Sequence, residues 1–315
     1  MNHSASKLYV NSGIDPKIDE SRTKQAMPSE EMTIGEALRW ATRLFTAQGF
    51  TSPRLDAEVL LRHVLDLTRT ALYVHLHEPL DAQSASRYKE MVRCRLAHEP
   101  VAYLTGKRAF YDVDLYVDQN VLIPRPESEH LIDAARAWTQ AQDRSSLRVV
   151  DVGTGSGALA IVLARHLPDA QIWAVDISFE ALRVAARNVR RYDLQNRVAL
   201  ICSDLLQALR GPFDLIVANL PYIPREEMGS LPTNVAAYEP HLALDGGKEG
   251  VDVVRRLLQQ AAQKLAYPGL LLLEIDPRQA EAVTGMARQI LAGARVRVLQ
   301  DYTKRDRMVE IKRGA

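Results

Sequence analysis

The chain of 315 residues exceeds the usual size of one domain, so two domains are expected, each large enough for its own core. Because 40 Lys and Arg residues nearly balance 39 Asp and Glu residues, the composition disfavours nucleic-acid binding driven by charge alone. No stretch is apolar for long enough to cross a membrane, and Cys94 and Cys202 fit no metal or redox spacing, which indicates a cytoplasmic protein with reduced thiols.

The first residues, 1–30, are polar and lack the apolar core of a signal peptide. We predict that they form a disordered leader, because a segment with so few apolar side chains cannot bury a core. Translation could begin at Met1, Met27 or Met32.

Residues 31–99 have the apolar periodicity of a small helical domain. Thr33 and Glu36 have the spacing of a capping box, and Ser52-Pro53 has the form of a helix start. Helices are predicted from Thr33, from Ser52, from Thr68 to Leu76 and from Asp81 to Ala97. His75 and His77 lack a third ligand at a characteristic spacing, so no metal site is predicted.

Residues 100–125 are predicted to form a hairpin and linker between the two domains. Within them, Val113 and Leu115 alternate with polar side chains, as in a half-buried strand. The following Pro124-Arg125-Pro126-Glu127 contains two prolines that stiffen the chain ahead of a helix. Arg125 and Glu127 are therefore candidates either for a lip that binds cofactor or substrate or for a structural hinge.

The second domain, residues 126–315, contains a strand, a glycine turn and a helix in immediate succession. The buried-strand pattern of residues 147–152 leads into Gly153-Thr154-Gly155-Ser156-Gly157, and a helix follows through Ala164. Glycines let a ligand approach the backbone closely, and the helix N-terminus supplies free N–H groups, so this arrangement is typical of nucleotide binding. The G-x-G-x-G spacing disfavours NAD, and the lack of a Lys-Ser/Thr ending disfavours a nucleoside triphosphate.

Acidic side chains at three strand ends indicate what the turn binds. Asp151 ends the first strand and is expected to face the cationic methionine end of a cofactor, while Asp176, after the second strand, is expected to accept both ribose hydroxyls. Asp204 and Leu205, after the third strand, are placed to hold the adenine edge and face. Because acids at successive strand ends suit a positively charged adenosyl group, S-adenosyl-L-methionine is the predicted cofactor.

The tetrapeptide Asn219-Leu220-Pro221-Tyr222 follows a fourth apolar strand and is the candidate catalytic and substrate-binding segment, and Asn219 is also a candidate cofactor contact. A planar NH2 group could donate one hydrogen bond to the Asn219 side-chain oxygen and another to the Leu220 carbonyl, which Pro221 holds in place. Tyr222 would stack on the face of the same group. Taken alone, the tetrapeptide is equally compatible with an ordinary Asn-x-Pro turn.

Several motifs together resemble those of the bacterial protein-(glutamine-N5) methyltransferases, in particular the branch that modifies peptide chain release factors. The resemblance runs from about Thr33 to the C-terminus. Its marks are the Asn219 tetrapeptide, the stretch from Asp151 to Gly157, Pro100-Val101-Ala102-Tyr103-Leu104-Thr105-Gly106, Leu122 to Glu127, Tyr238-Glu239-Pro240 and Ala243 to Gly247.

The resemblance implies an α/β protein with a class I S-adenosylmethionine-dependent methyltransferase domain. This domain is expected to be Rossmann-like, with a seven-stranded sheet whose last hairpin is antiparallel, and to follow a small all-helical N-terminal domain that docks the substrate protein. The implied reaction methylates the glutamine of a Gly-Gly-Gln loop. The expected partners are peptide chain release factors, without a membrane or a direct DNA substrate, and the expected state is a monomer.

Two positions depart from the family pattern. Leu220 replaces the first proline of the usual Asn-Pro-Pro-Tyr, although its carbonyl still precedes Pro221. Glu274-Ile275-Asp276 replaces Glu-Ile-Gly and adds a carboxylate to that loop. The alternative functions are glutamine methylation of ribosomal protein L3, adenine-N6 methylation of DNA, which uses a similar tetrapeptide, and a non-catalytic cofactor-sensing module.

Overall fold

The computed structural model describes residues 32–142, 146–301 and 303–314. The predicted leader, residues 1–30, therefore lies outside the described residues. The chain divides into two compact units, one ending at Leu104 and the other beginning at Thr105.

The described part of the first unit is helical. Its helices are α1 (Ile34–Ala47), α2 (Pro53–Leu65), α3 (Arg69–Val74) and α4 (Ala82–Leu96), and the short α5 (Val101–Thr105) follows them. The predicted capping box is confirmed, because the Glu36 N–H donates to the Thr33 hydroxyl and the Thr33 N–H donates to the Glu36 carboxylate. Ser52 precedes α2 as predicted, but its side chain makes no capping hydrogen bond. The helices enclose one core, which includes Leu38, Leu60 and Tyr88.

The second unit begins with a hairpin and continues into a seven-stranded sheet. The hairpin consists of β1 (Arg108–Phe110) and β2 (Val113–Leu115). The strands of the sheet are β3 (Leu147–Val152), β4 (Ala170–Asp176), β5 (Val198–Cys202), β6 (Phe213–Ala218), β7 (Leu265–Glu274), β8 (Arg295–Gln300) and β9 (Asp306–Arg313).

The strand order is β5-β4-β3-β6-β7-β9-β8. Neighbours from β5 to β7 pair in parallel, whereas β9 pairs antiparallel with both β7 and β8. The prediction of a seven-stranded sheet with an antiparallel last hairpin is confirmed.

Helices connect these strands and bury the sheet. They are α6 (Glu129–Gln140), α7 (Ala158–His166), α8 (Phe179–Arg191), α9 (Thr233–Ala236), α10 (Asp252–Lys264) and α11 (Ala280–Ile290). Every residue of β6 is buried, as expected for a parallel strand with both faces covered. On one face, Ile216 and Leu271 share a core with Leu257 of α10 and Val283 of α11.

The strand order creates a crevice at the carboxyl ends of β3 and β6. From β3 the chain proceeds through β4 and β5 toward one edge of the sheet, and it then returns to β6 on the other side of β3. The connection after β3 therefore runs toward one edge of the sheet, and the connection after β6 runs toward the other. The crevice between these two connections is the usual ligand-binding position in α/β proteins.

Candidate active site

A cleft of about 370 Å³ lies at the carboxyl ends of β3 to β6, and this size is typical of small-molecule sites. Its walls come from the loops that follow these four strands, from the segment before α6 and from the loop around residue 242. The lining includes Gly153, Asp176, Ile177, Leu205, Asn219 and Leu242. The sequence prediction of one site assembled from several strand ends agrees with this position.

The glycine turn after β3 requires glycine for two separate reasons. Gly153, Gly155 and Gly157 have φ values of 75°, 53° and 83°, in the left-handed region that other residues rarely adopt. In addition, a Cβ atom at Gly153 would lie 3.1 Å from the Leu220 side chain and 3.3 Å from the Asn219 carbonyl oxygen. The turn thus allows the tetrapeptide to approach the end of β3.

Asp151 lies behind the turn rather than in the cleft. One of its carboxylate oxygens accepts from the Thr154 hydroxyl at 2.6 Å and from the Ala160 N–H at 3.1 Å. Burial raises the pKa of Asp151 to about 7, although both hydrogen bonds oppose this shift. The other oxygen, Oδ1, is buried without a hydrogen-bond partner among the described residues. Thr154, Ser156 and Gly157 are likewise absent from the lining, which contains Gly153 and Gly155 of the predicted turn.

Asp176 lines the cleft at the end of β4, where the sequence analysis expects it. Its two oxygens accept from the Gly155 N–H and the Ser178 N–H, each at 2.9 Å. Burial raises the pKa of Asp176, and these backbone hydrogen bonds oppose the shift. Each carboxylate oxygen has two lone pairs, so both can accept a further hydrogen bond from a ligand hydroxyl.

The wall after β5 contains Asp204 and Leu205, as predicted, together with Arg256 of α10. Arg256 forms an ion pair with Asp204, which the sequence analysis does not anticipate. Leu205 has a φ of 52° and a buried side chain, so a strained backbone brings an apolar group to this wall.

The tetrapeptide continues directly from β6, and Asn219, Leu220 and Pro221 line the cleft. Leu220, the departure from the family pattern, is buried and would contact any side chain added at Gly153. Tyr222 is not part of the lining. Burial, followed by the charge of Glu274, raises the pKa of Tyr222 to about 12.

The loop from Leu244 to Gly250 supports the backbone of the tetrapeptide. The Ile223 N–H donates to the Leu244 carbonyl at 3.0 Å, and the Gly246 N–H donates to the Ile223 carbonyl at 2.9 Å. A Cβ atom at Gly246 would lie 2.8 Å from the Pro221 carbonyl oxygen, and one at Gly250 would lie 2.4 Å from the Tyr222 carbonyl oxygen. Gly246 and Gly250 therefore allow the backbone of this loop to approach the backbone of the tetrapeptide closely.

A chain of two hydrogen bonds leads from Asn219 into the protein interior. Asn219 Nδ2 donates to Ser128 Oγ at 2.8 Å, and Ser128 Oγ donates to Glu274 Oε2 at 2.6 Å. Ser128 is 4% exposed and Glu274 is 3% exposed. Burial raises the pKa of Glu274 to about 7, while the Ser128 hydrogen bond and the charge of Arg307 lower it.

Arg125 and Glu127, the predicted substrate-binding pair, do not line the cleft. Arg125 instead forms an ion pair with Glu239, whose side chain is fully buried. The Ile123 N–H donates to the other oxygen of Glu239 at 3.3 Å. The contact therefore ties the proline-rich segment to the loop after α9, whereas Glu127 is exposed.

The second departure from the family pattern, Asp276, starts a short 3-10 helix, Pro277–Gln279. Its carboxylate accepts from the Arg278 N–H and from the Arg278 side chain, each at 2.9 Å. Arg278 also pairs with Glu227 at 2.8 Å. The additional acid therefore has partners outside the cleft.

Sequence reasoning missed the groups that support the site. Glu239 and Glu274 belong to motifs that mark the resemblance or its departures, and Ser128 directly follows one, but their partners lie far away along the chain. Glu274 follows a run of four leucines, Leu270 to Leu273, without a basic residue beside it. This pattern could have indicated a buried site, because a carboxylate buried there requires a polar partner from elsewhere in the chain.

The parallel sheet, the glycine turn and the position of the cleft define a class I methyltransferase fold. The catalytic domain of hMettl16 in complex with the MAT2A 3'UTR hairpin 6 has a similar fold, with a TM-score of 0.50 and 15% sequence identity, covering 63% of this chain and 74% of that chain. Residues 36–106 match the family described as PrmC N-terminal domain, and residues 130–233 match the Methyltransferase small domain.

Two full-length relatives share the name release factor glutamine methyltransferase. That of Moorella thermoacetica is 44% identical over 277 residues, which cover 88% of this chain and 97% of the relative. That of Rhodopirellula baltica is 39% identical over 286 residues, which cover 90% and 97%. The chain belongs to the release factor glutamine methyltransferase family.

Within the described ranges, every helix is too short or too polar to span a lipid bilayer. The same residues contain no group of three or more His, Cys, Asp or Glu side chains arranged for a metal ion.

Proposed function

We propose that this protein uses S-adenosyl-L-methionine to methylate the side-chain nitrogen of a glutamine in peptide chain release factors, within a Gly-Gly-Gln loop. The observation that carries the proposal is Asn219 at the cleft, with its Nδ2 group engaged by Ser128. Because the NH2 group of Asn219 contacts Ser128, the Asn219 side-chain oxygen points away from Ser128. This oxygen can therefore accept a hydrogen bond from the NH2 group of a substrate amide. Membership of the release factor glutamine methyltransferase family supports the same substrate.

The cleft contains groups that fit an adenosyl sulfonium ligand. Asp176 retains lone pairs for ribose hydroxyls, and the apolar Ile177 and Leu205 also line the cleft, where they could contact adenine. Asp151 lies behind the glycine turn and outside the cleft lining, so it would act on a cationic ligand group only through its charge and not by direct contact. When bound, S-adenosyl-L-methionine supplies an electrophilic methyl group.

Residues of the tetrapeptide would overcome the low reactivity of the substrate nitrogen. An amide nitrogen is a weak nucleophile because its lone pair is delocalised into the carbonyl group. Hydrogen bonds from the substrate NH2 to Asn219 Oδ1 and the Leu220 carbonyl fix its direction and favour loss of planarity, so these residues act by positioning. Tyr222 does not line the cleft, so its proposed stacking on the amide would require its ring to turn toward the substrate.

One assay separates the proposed substrate from the alternatives. The protein is incubated with methyl-labelled S-adenosyl-L-methionine and, in parallel, with release factor, ribosomal protein L3 or DNA, and the labelled atom is located by mass spectrometry. We expect label on the release-factor glutamine. Label found only on DNA or only on L3 would overturn the proposal.

The first unit is proposed to dock the release factor, because it is a separately packed helical unit that precedes the glycine turn and the tetrapeptide. Removal of residues 1–100 is expected to leave S-adenosylhomocysteine binding intact and to reduce methylation of intact release factor strongly. Calorimetry and the labelling assay measure the two effects. Full activity of a folded truncated protein would exclude the docking role.

A further inference from the structure

We propose that Ser128 and Glu274 are positioning residues that determine which atom of the Asn219 side-chain amide faces the substrate. The inference rests on the proposed function and adds two residues to it. Neither residue lines the cleft, so both act through Asn219.

The three side chains form a continuous connection from the cleft to the interior of the second unit. Ser128 lies at the start of α6 and Glu274 ends β7, so the connection joins segments 146 residues apart along the chain. Both side chains are more than nine-tenths buried, which excludes water as a competing partner on most of their surface. A change in one member therefore has to be accommodated by the others.

The direction of each hydrogen bond follows from the number of protons available. An ionised carboxylate can only accept hydrogen bonds, so the Ser128 hydroxyl donates its single O–H to Glu274. Ser128 Oγ must then accept from Asn219, and only the NH2 end of that amide can donate. Asn219 Oδ1 is consequently the end left for the cleft, where a substrate NH2 needs an acceptor.

The reverse order of hydrogen bonds would present the wrong group. If Ser128 instead donated to Asn219 Oδ1, the Asn219 NH2 would face the substrate NH2, and two donors would meet without an acceptor. A buried donor left without a partner is unfavourable, so the reversed arrangement would impair binding of glutamine in the reactive pose. The charge on Glu274 is what prevents this reversal.

Protonation of Glu274 removes that constraint, because a carboxylic acid can donate to Ser128. The charged and titratable groups that face Glu274 are Arg307 of β9, Arg125 and Glu127 from the segment before α6, and Tyr222. Burial holds the pKa of Glu274 at about 7 against the opposing effects of Ser128 and Arg307. Methyl transfer should therefore decline as the pH falls below about 7.

The first test compares Ser128→Ala with Ser128→Thr, which keeps the hydroxyl. Ser128→Ala is expected to lower kcat for release factor by about tenfold to a hundredfold, because the reacting amide is less well positioned, with little change in S-adenosylhomocysteine affinity. Ser128→Thr is expected to recover most of the wild-type kcat. Wild-type kcat in a folded Ser128→Ala protein would overturn the inference.

A second measurement reports the orientation of Asn219 directly. The competitor is a release factor in which the target glutamine is replaced by glutamate, whose carboxylate cannot donate hydrogen bonds. Wild-type protein should bind this competitor weakly, because two acceptors would face it, whereas Ser128→Ala lets Asn219 turn its NH2 toward the carboxylate. We expect the ratio of glutamate to glutamine binding to rise in Ser128→Ala, and an unchanged ratio would contradict the inference.

Glu274→Gln provides a test that does not depend on Ser128→Ala folding. The substitution keeps the shape and the acceptor oxygen but removes the charge and its titration. The acid limb of the kcat against pH profile, with its midpoint near pH 7, should disappear in this variant. A limb that persists unchanged would assign the titration to another group and overturn the role of Glu274.

These outcomes are distinct from failure of the proposed function. If the wild-type protein does not methylate release factor at all, the function itself is wrong. If the wild type is active and the Ser128 and Glu274 variants retain its kcat, pH profile and discrimination, only the positioning role is wrong.

Discussion

The hydrogen bonds that stabilise the two sides of the cleft differ in how far apart along the chain their partners lie. After β3 and β4, the carboxylates of Asp151 and Asp176 accept from groups that are at most 21 residues away along the chain. After β6 and β7, Asn219 and Glu274 are joined through Ser128, which is 91 and 146 residues away from them. The side after β3 and β4, which is proposed to bind the cofactor and is called the cofactor side, is therefore built from neighbouring segments. The side after β6 and β7, which is proposed to bind the substrate and is called the substrate side, is built from distant ones.

This difference has consequences for how each side responds to substitution. On the cofactor side, Asp151 and Asp176 accept hydrogen bonds from the backbone that also forms the proposed ligand site. A substitution of either acid should therefore change both protein stability and ligand affinity. On the substrate side, Asn219 touches the proposed substrate, whereas the groups that orient it lie outside the cleft. Activity and ligand affinity should consequently separate on the substrate side and change together on the cofactor side.

The largest effect that separates the two sides is expected for Asn219→Ala. It should lower methyl transfer to release factor by about a hundredfold or more, because a hydrogen bond to the reacting amide is lost. Affinity for S-adenosylhomocysteine should change little. Initial rates and calorimetry measure the two quantities.

Asn196→Ala is the matched control for this substitution, because Asn196 is an exposed asparagine in the same unit. Asn219→Asp adds a sharper comparison, since it keeps an acceptor oxygen but loses the NH2 that donates to Ser128. If Asn219→Ala methylates at a rate near that of Asn196→Ala, the tetrapeptide is only a turn.

On the cofactor side, Asp176→Ala is expected to weaken S-adenosylhomocysteine binding by about 1.5–3 kcal/mol, the range for hydrogen bonds to a charged group. The same substitution removes the acceptors for Gly155 and Ser178, so the free energy of unfolding should fall as well. Calorimetry and urea unfolding of one protein sample test this coupling. Unchanged affinity in the folded variant would remove Asp176 from the ligand site.

A smaller effect should distinguish two roles of Arg125 on the substrate side. Arg125→Ala leaves the buried Glu239 carboxylate without its charged partner, so we expect unfolding to require about 1–3 kcal/mol less. The double variant Arg125→Ala/Glu239→Gln should lose less than the sum of the single variants, because the unpaired charge is absent. A raised KM for release factor with unchanged stability would instead support the substrate-binding prediction for Arg125.

The sequence predicted those parts of the site that depend on local pattern. The glycine turn, Asp176, Asp204 and the Asn219 tetrapeptide all follow apolar strands, and the parallel strands bring their carboxyl ends to one edge of the sheet. The periodicity of apolar residues, the turn residues and the ends of strands are properties of short segments. These site residues can therefore be located without knowledge of any tertiary contact.

The remaining features depend on side-chain directions that no local pattern specifies. Asp151 was expected at the cofactor, but residues alternate between the two faces of a strand, and its side chain lies behind the turn beside Thr154 and Ala160. Ser128 is an unremarkable serine in sequence until the fold brings Glu274 to it. Arg125 could serve a substrate or a hinge with equal chemistry, and its ion-pair partner Glu239 is 114 residues away along the chain.

The last prediction compares the two buried carboxylates, one from each side, whose pKa values are both raised to about 7. A folded pKa above the unfolded value adds stability at low pH that is lost as the pH rises toward the folded pKa. Relative to Asp151→Asn and to Glu274→Gln, wild-type stability should therefore fall between about pH 4.5 and 7, by at most about 1.4 kcal/mol per pH unit for each group.

Urea unfolding of the three proteins from pH 5 to 8 measures these differences, and each should become constant above about pH 7. The two carboxylates should nevertheless differ in activity: the acid limb of kcat disappears in Glu274→Gln and keeps its midpoint in Asp151→Asn, because only Glu274 is connected to Asn219. Stability and activity thus change in opposite directions with pH at Glu274. If the limb instead moved in Asp151→Asn, the titration would belong to the cofactor side, and the proposed division between the two sides of the cleft would be wrong.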